Sequence, residues 1–255
     1  MAQPRALVLR APGTNCDEET AAAWAAAGAA VETWHVGRIL EDPQALDRFG
    51  ILTIPGGFSY GDDLGAGRIL ATRLAGLGEA VGRFHDRGGL VLGICNGFQV
   101  LVKAGLLPGG AWTSPVTLTH NDSGHFEARW VRLRPRPGVC VFLTDPEPIE
   151  LPVAHGEGKF LAADPQAVAA LERAGQVILR YVDESGRPTE AYPANPNGSP
   201  GAVAGLCDPS GRIFGLMPHP ERYVDPLHHP RWTRLGPKPE GDGLRIFRNA
   251  VAALR

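Results

Sequence analysis

Hydrophobic and polar positions alternate between two textures along the first hundred residues. Ala6-Leu7-Val8-Leu9 is a short apolar run, Pro12-Gly13-Thr14-Asn15 is turn chemistry, and Asp17 to Ala27 is Ala-rich with acids at its start, which predicts strand, turn and helix. Gly28 closes the helix, Ala30 to His35 returns to a β-type run, Pro43 to Phe49 is a short helical stretch, and Ile51-Leu52-Thr53-Ile54 is an apolar strand stopped by Pro55-Gly56-Gly57. The theme repeats with a helix over 69–86, a strand over 90–94 and a helix over 97–104. Strands that alternate with helices in this way predict a parallel sheet with helical crossovers.

From Thr113 the texture becomes β-type, with Phe126, Ala128, Trp130, Val131 and Leu133 in one run and Gln176 to Val182 in another. Asp164 to Ala174 fits a helix with Pro165 at its first position. Gly201 to Cys207 and Arg212 to Met217 read as a hairpin across Asp208-Pro209-Ser210-Gly211, and Leu244 to Leu254 as a final helix. The expected fold is α/β: an open, mostly parallel central sheet flanked by helices, with a partly antiparallel β extension. No internal repeat or linker divides residues 1–255, so one domain is expected; Asp225 to Asp242 is a Pro- and charge-rich loop.

Composition narrows the function classes. The chain has 255 residues and a formal net charge of −2, so no global basic field attracts nucleic acid or an anionic membrane. The first residues hold only a short apolar run and no segment is apolar for the ~18 residues of a membrane span, which gives the expectation of a cytoplasmic protein. The four cysteines, Cys16, Cys95, Cys140 and Cys207, form no CxxC pair and are expected as free, mostly buried thiols.

Cys95 differs from the others in its setting. It follows the strand ending at Ile94 and precedes a helix within Gly93-Ile94-Cys95-Asn96-Gly97, the thiol counterpart of the G-x-S-x-G nucleophile elbow. Glycines on both sides permit a tight strand-to-helix turn at the carboxyl end of the sheet, where open α/β folds bind ligands. The helix N-terminus favours thiolate, and its free N–H groups, that of Asn96 first, can stabilise an oxyanion. The alternative is a chance motif in a Gly-rich chain with Cys95 merely buried. A nucleophile needs a base and the base an orienting group, and Pro218-His219-Pro220-Glu221 offers both: in an extended segment Glu221 points to the same side as His219. Read alone, the pair is a surface loop. Gly57, at the end of another central strand, can supply a second oxyanion donor or simply form a turn.

Taken together these segments resemble the class I (triad) glutamine amidotransferases: P-G-G, then G-I-C-N-G-F-Q, then P-H-P-E, in that order. Residues 55–67 (PGGFSYGDDLGAG), 93–99 (GICNGFQ), 121–131 (NDSGHFEARWV), 154–160 (AHGEGKF), 195–199 (NPNGS) and 215–222 (GLMPHPER) are similar to the family of glutaminase subunits of phosphoribosylformylglycinamidine synthase. The resemblance implies a flavodoxin-like fold and a Cys95, His219, Glu221 triad that hydrolyses L-glutamine to glutamate and ammonia. It places oxyanion donors at Gly57 and Asn96, and Gln99, His155 and Gly156 near the bound glutamine. It further implies transfer of ammonia to a large synthase subunit that binds ATP, Mg²⁺ and formylglycinamide ribonucleotide, and a small accessory subunit in the complex. No cofactor or metal is expected on this chain, which has no G-x-x-x-x-G-K-[ST].

Other polar residues carry weaker expectations. His120, His125, His228 and His229 read as solvated, the last two in the long loop after Arg222; Asp62 and Asp63 read as contacts to a partner; Cys16, Cys140 and Cys207 are expected to be dispensable for turnover. The rival functions are a free-standing thiol hydrolase of the same superfamily fold and a binding subunit with an idle thiol.

Overall fold

The computed structural model describes residues 3–109, 115–236 and 238–255. Its frame is a nine-stranded sheet in the order β2-β1-β3-β4-β11-β10-β9-β6-β7. Here β1 is Arg5–Arg10, β2 Ala30–His35, β3 Ile51–Ile54, β4 Leu90–Ile94, β6 Glu127–Pro135, β7 Ile149–His155, β9 Val177–Tyr181, β10 Val203–Cys207 and β11 Ile213–Leu216. Neighbouring strands from β2 to β11 are parallel, and those from β11 to β7 are antiparallel. The β10–β11 hairpin therefore joins two halves of one sheet. The remaining strands, β5 (Val116–Thr119) and β8 (Lys159–Ala162), pair separately; the β texture read from Thr113 begins outside the described residues.

Burial follows the sequence pattern. Every residue of β3, β4, β10 and β11 is buried, as expected of central strands covered on both faces. In β7 buried and half-buried residues alternate strictly, the period of a strand with one face on the core. The helices are α1 (Asp17–Ala26), α2 (Val36–Glu41), α3 (Arg68–Ala75), α4 (Gly78–Asp86), α5 (Asn96–Lys103), α6 (Pro165–Arg173), α7 (Trp232–Leu235) and α8 (Leu244–Ala253). Helix α5 is buried from Asn96 to Val102, while α1 and α8 meet through Trp24 and Phe247, whose rings lie edge to face at 4.8 Å.

Three local expectations change. The helix read over 69–86 is two helices, because Gly76 and Gly78 flank Leu77, whose N–H closes a tight turn on Leu74 and whose side chain is buried. The long loop is partly ordered by a 3₁₀ turn, Pro226–His228, and by α7. His229 in that loop is buried rather than solvated: its Nε2 lies 3.0 Å from Glu150 Oε2, and its ring packs on Trp130 and Tyr223. His120, His125 and His228 are exposed.

Candidate active site

Four parallel strands deliver loops to one rim. The loop after β1 carries Cys16, that after β3 carries Gly56 and Gly57, that after β4 carries Cys95, and that after β11 carries His219 and Glu221. From the antiparallel half, β7 ends at His155 and places Gly156 and Glu157 at the same pocket, of about 210 Å³, which Gly57, Cys95, Gln99 and Phe126 also line. That size suits a ligand smaller than those filling the ~300–1,000 Å³ of drug-sized pockets.

The sharp turn at Cys95 is made by the cysteine itself, with φ 51° and ψ −105°. This is the strained, non-glycine geometry of a nucleophile elbow. The flanking glycines serve close packing instead: a Cβ on Gly97 would lie 1.8 Å from the Ile54 carbonyl oxygen. The Cys95 N–H donates to Leu216 O at 2.8 Å, and its Sγ lies 3.6 Å from Ala154 O. The elbow is thus anchored to β11 on one side and to β7 on the other.

His219 Nδ1 lies 2.6 Å from Glu221 Oε1, and both side chains are almost wholly buried. The segment is not extended, as the sequence suggested. His219 is extended, but Pro220–Arg222 forms a 3₁₀ turn that folds Glu221 back under the imidazole. Burial opposes a charge on His219, yet Glu221 and Cys95 outweigh it and hold the imidazole well above its ordinary range. Nδ1 is taken, which leaves Nε2 as the nitrogen available to Cys95.

Gly57 has φ +139°, a region open to glycine. The Gly56 carbonyl accepts from Cys16 N–H at 3.3 Å. Across a trans peptide the Gly57 N–H points the other way, and Gly57 lines the pocket. Asn96 opens α5, where first-turn N–H groups lack helical partners. Its side chain accepts from Ser59 N–H and donates to Asp62 Oδ1 and Gln99 Oε1, each within 3.3 Å. Gln99 donates in turn to the Glu157 carbonyl.

Asp62 is therefore a half-buried brace of the pocket that also accepts from Gly67 N–H, whereas Asp63 is exposed. Burial raises the Asp62 carboxyl above its usual range, while the Gly67 and Asn96 hydrogen bonds act against it.

His155 is buried, and its Nδ1 lies 3.1 Å from Asn121 Oδ1, an acceptor, so Nδ1 carries the proton. Burial first, and His219 second, lower its pKa to about 3. Sequence reasoning gave Asn121 no role. Its amide also donates to the His155 and His125 carbonyls, and its oxygen accepts from Gly158 N–H. Beside it Asn195, Asn197 and Ser199 interlock, and Asn197 donates to the buried Tyr181 hydroxyl. The motif segments 121–125, 154–160 and 195–199 are one hydrogen-bonded bed for the His155 loop.

Cys16 was the other omission. Its Sγ, His219 and Glu221 offer ligand atoms within 4.8 Å of one another, the one such group among the described residues. With Nδ1 committed to Glu221, the trio is a hydrogen-bonding cluster rather than an open metal cradle. Its place at the carboxyl end of β1 was the available signal, since ligands bind outside that edge of open α/β sheets. Cys140 and Cys207 are buried away from this rim, in the antiparallel half.

Residues 3–252 match the family model of the CobB/CobQ-like glutamine amidotransferase domain. The chain is 50% identical over 254 residues to phosphoribosylformylglycinamidine synthase subunit PurQ of Dehalococcoides mccartyi, with 98% of both chains covered. The subunit of the same name from Methanococcus maripaludis is 38% identical over 263 residues, covering 97% of this chain and 96% of that one. In the structure of PurLQS from Thermotoga maritima, one chain superposes with a TM-score of 0.74 at 32% identity, with full coverage of both. With the family model spanning nearly the whole length and relatives at these identities, the chain belongs to the glutamine amidotransferase family, in its PurQ branch.

Proposed function

We propose that this chain is the glutaminase subunit of phosphoribosylformylglycinamidine synthase, hydrolysing L-glutamine through Cys95, His219 and Glu221 and passing ammonia to a synthase subunit. The observation that carries the reading is the strained Cys95 at a strand–helix junction, lining the pocket and crowded against Gly56 together with His219, a buried imidazole whose far nitrogen is held by a carboxylate. Cys95 Sγ attacks the side-chain amide carbon of glutamine. His219 takes the thiol proton at Nε2 and delivers it to the departing nitrogen, while Glu221 fixes the ring at Nδ1. The tetrahedral oxygen is met by the Gly57 and Asn96 N–H groups. Ammonia leaves, and water deprotonated by His219 cleaves the glutamyl thioester to glutamate.

Gln99, His155 and Gly156 border the glutamine. Because His155 stays neutral, its Nε2 is an acceptor, suited to an N–H of the substrate. ATP, Mg²⁺ and formylglycinamide ribonucleotide belong to the large synthase subunit, which uses the ammonia to form formylglycinamidine ribonucleotide; a small accessory subunit completes the assembly. Among the described residues no helix is long and apolar enough to cross a membrane, in keeping with a cytoplasmic place for the reaction.

The test is glutamate release and glutamine-dependent amidine synthesis by the assembled complex. Cys95→Ala is expected to lower both by at least about 10³-fold and to spare synthesis from added ammonia. Loss of the ammonia-dependent reaction to the same extent, with the complex formed, would make Cys95 structural and sink the proposal.

A further inference from the structure

The loop between β1 and α1 touches two parts of the machinery at once. Its backbone is stitched to the Gly56–Phe58 loop: Cys16 N–H donates to Gly56 O and Phe58 N–H to Gly13 O. Its one thiol is 1% exposed and fully engaged. The S–H donates to Asn15 Oδ1 at 3.1 Å, and the sulfur accepts from Arg222 Nη2 at 3.1 Å. Arg222 is held in turn by Glu19 Oε1, at 3.0 Å, from the first turn of α1. A Cβ on Gly56 would meet His219 Cε1 at 2.9 Å, Cys16 Sγ at 3.1 Å and Cys95 Cβ at 3.5 Å. Imidazole, second thiol and nucleophile thus crowd around a single glycine.

A hydrogen bond at Nδ1 fixes one edge of the His219 ring and leaves the ring free to turn about that contact. A proton donor that must serve both Cys95 and the leaving nitrogen needs its plane fixed as well. Cys16 abuts the ring, yet burial pushes its own thiol up, with His219 and Arg222 only partly opposing this, so it is a poor competitor to Cys95 as nucleophile.

We infer that Cys16 is a positioning residue for the glutaminase reaction: its sulfur, clamped between Asn15 and Arg222, holds the His219 ring in the plane that serves Cys95. The inference rests on the proposed function and reverses the expectation that Cys16 is dispensable.

The experiment uses the assembled complex with Cys16→Ala, which removes the clamp, and Cys16→Ser, which keeps a donor and an acceptor. Glutamine hydrolysis and the pH dependence of Cys95 alkylation by iodoacetamide are followed, the latter by mass of the Cys95 peptide. Cys16→Ala is expected to lower kcat about tenfold or more, since small misplacement of catalytic groups is costly, to leave KM within about twofold, and to displace the alkylation profile. Cys16→Ser should lie nearer the wild type in both. Wild-type kcat and alkylation in Cys16→Ala would overturn the inference, as would equal losses in Ala and Ser, which would assign the effect to packing alone. Cys95→Ala run in parallel separates the two levels: if that variant still turns over glutamine, the proposed function has failed, not the role of Cys16.

Discussion

The two halves of the sheet hold their parts of the site by different physics. In the parallel half the backbone does the positioning: a cysteine at positive φ, two loops stitched by N–H to carbonyl bonds, and a helix pressed onto β3 at Gly97. In the antiparallel half the His155 loop lies on side-chain amides and a hydroxyl from Asn121, Asn195, Asn197 and Ser199. Each half contributes one buried histidine to the site, and the two are driven apart in protonation: His219 is raised because Glu221 and Cys95 outweigh its burial, while His155 is lowered by burial and by the facing His219. The Cys95 side holds its imidazole rigidly against a carboxylate, and the His155 side presents a neutral, hydrogen-bonding surface.

The largest effect should come from breaking the backbone device. Gly97→Ala places a methyl group against the Ile54 carbonyl, an atom that cannot rotate away, and should destabilise the chain by about 3 kcal/mol or more, in the upper range for strained core substitutions. Urea unfolding measures it, and a loss under ~1 kcal/mol would show that the elbow tolerates separation of α5 from β3.

Breaking the side-chain device should cost less and act on substrate binding. Asn121→Ala strands the Gly158 N–H and the His155 Nδ1–H, a penalty of about 2–3 kcal/mol by the usual cost of buried unpaired groups, and should raise the KM for glutamine more than it lowers kcat. Steady-state kinetics beside a denaturation curve decide it; a fall in kcat at constant KM would move Asn121 to the nucleophile side of the comparison.

The effect smallest at neutral pH, and the most gradual, is the pH signature of His155. Its folded pKa, about 3, lies below the ordinary 6.5, so between those values the unfolded chain binds a proton that the folded chain refuses. Its contribution to stability is therefore present above pH ~6.5 and lost as pH falls, with a slope of at most about 1.4 kcal/mol per pH unit. His219, raised, acts in the opposite sense, its contribution being present below the ordinary imidazole range and fading as pH rises through its folded value. Chemical denaturation of wild type and His155→Gln from pH 4 to 7 should show a shallower loss in the variant; parallel curves would mean that His155 is charged or hydrated when folded.

Periodicity and turn chemistry made the parallel half legible. The run from Leu90 to Ile94, the elbow at Cys95 and the spacing of His219 and Glu221 are local patterns, each written within a few consecutive residues. The antiparallel half was legible as strands and motifs but not as a network, because a solitary Asn121 or Asn197 in sequence carries no sign of its partner. His229 was misread for the same reason: Glu150, Trp130 and Tyr223, which bury it, come from other segments.

The amino-acid order alone sets which segments become strands and helices, where the turn at Cys95 falls, and which family of motifs the chain carries, since these follow from side-chain period and from residues suited to particular backbone angles. It takes the folded chain to show that Glu221 reaches His219 through a 3₁₀ turn, that His155 is held neutral over Asn121, and that Cys16 meets Arg222 from 206 residues away. Those facts depend on desolvation and on contacts between distant segments, which exist only once the sheet has brought its strand ends to one rim.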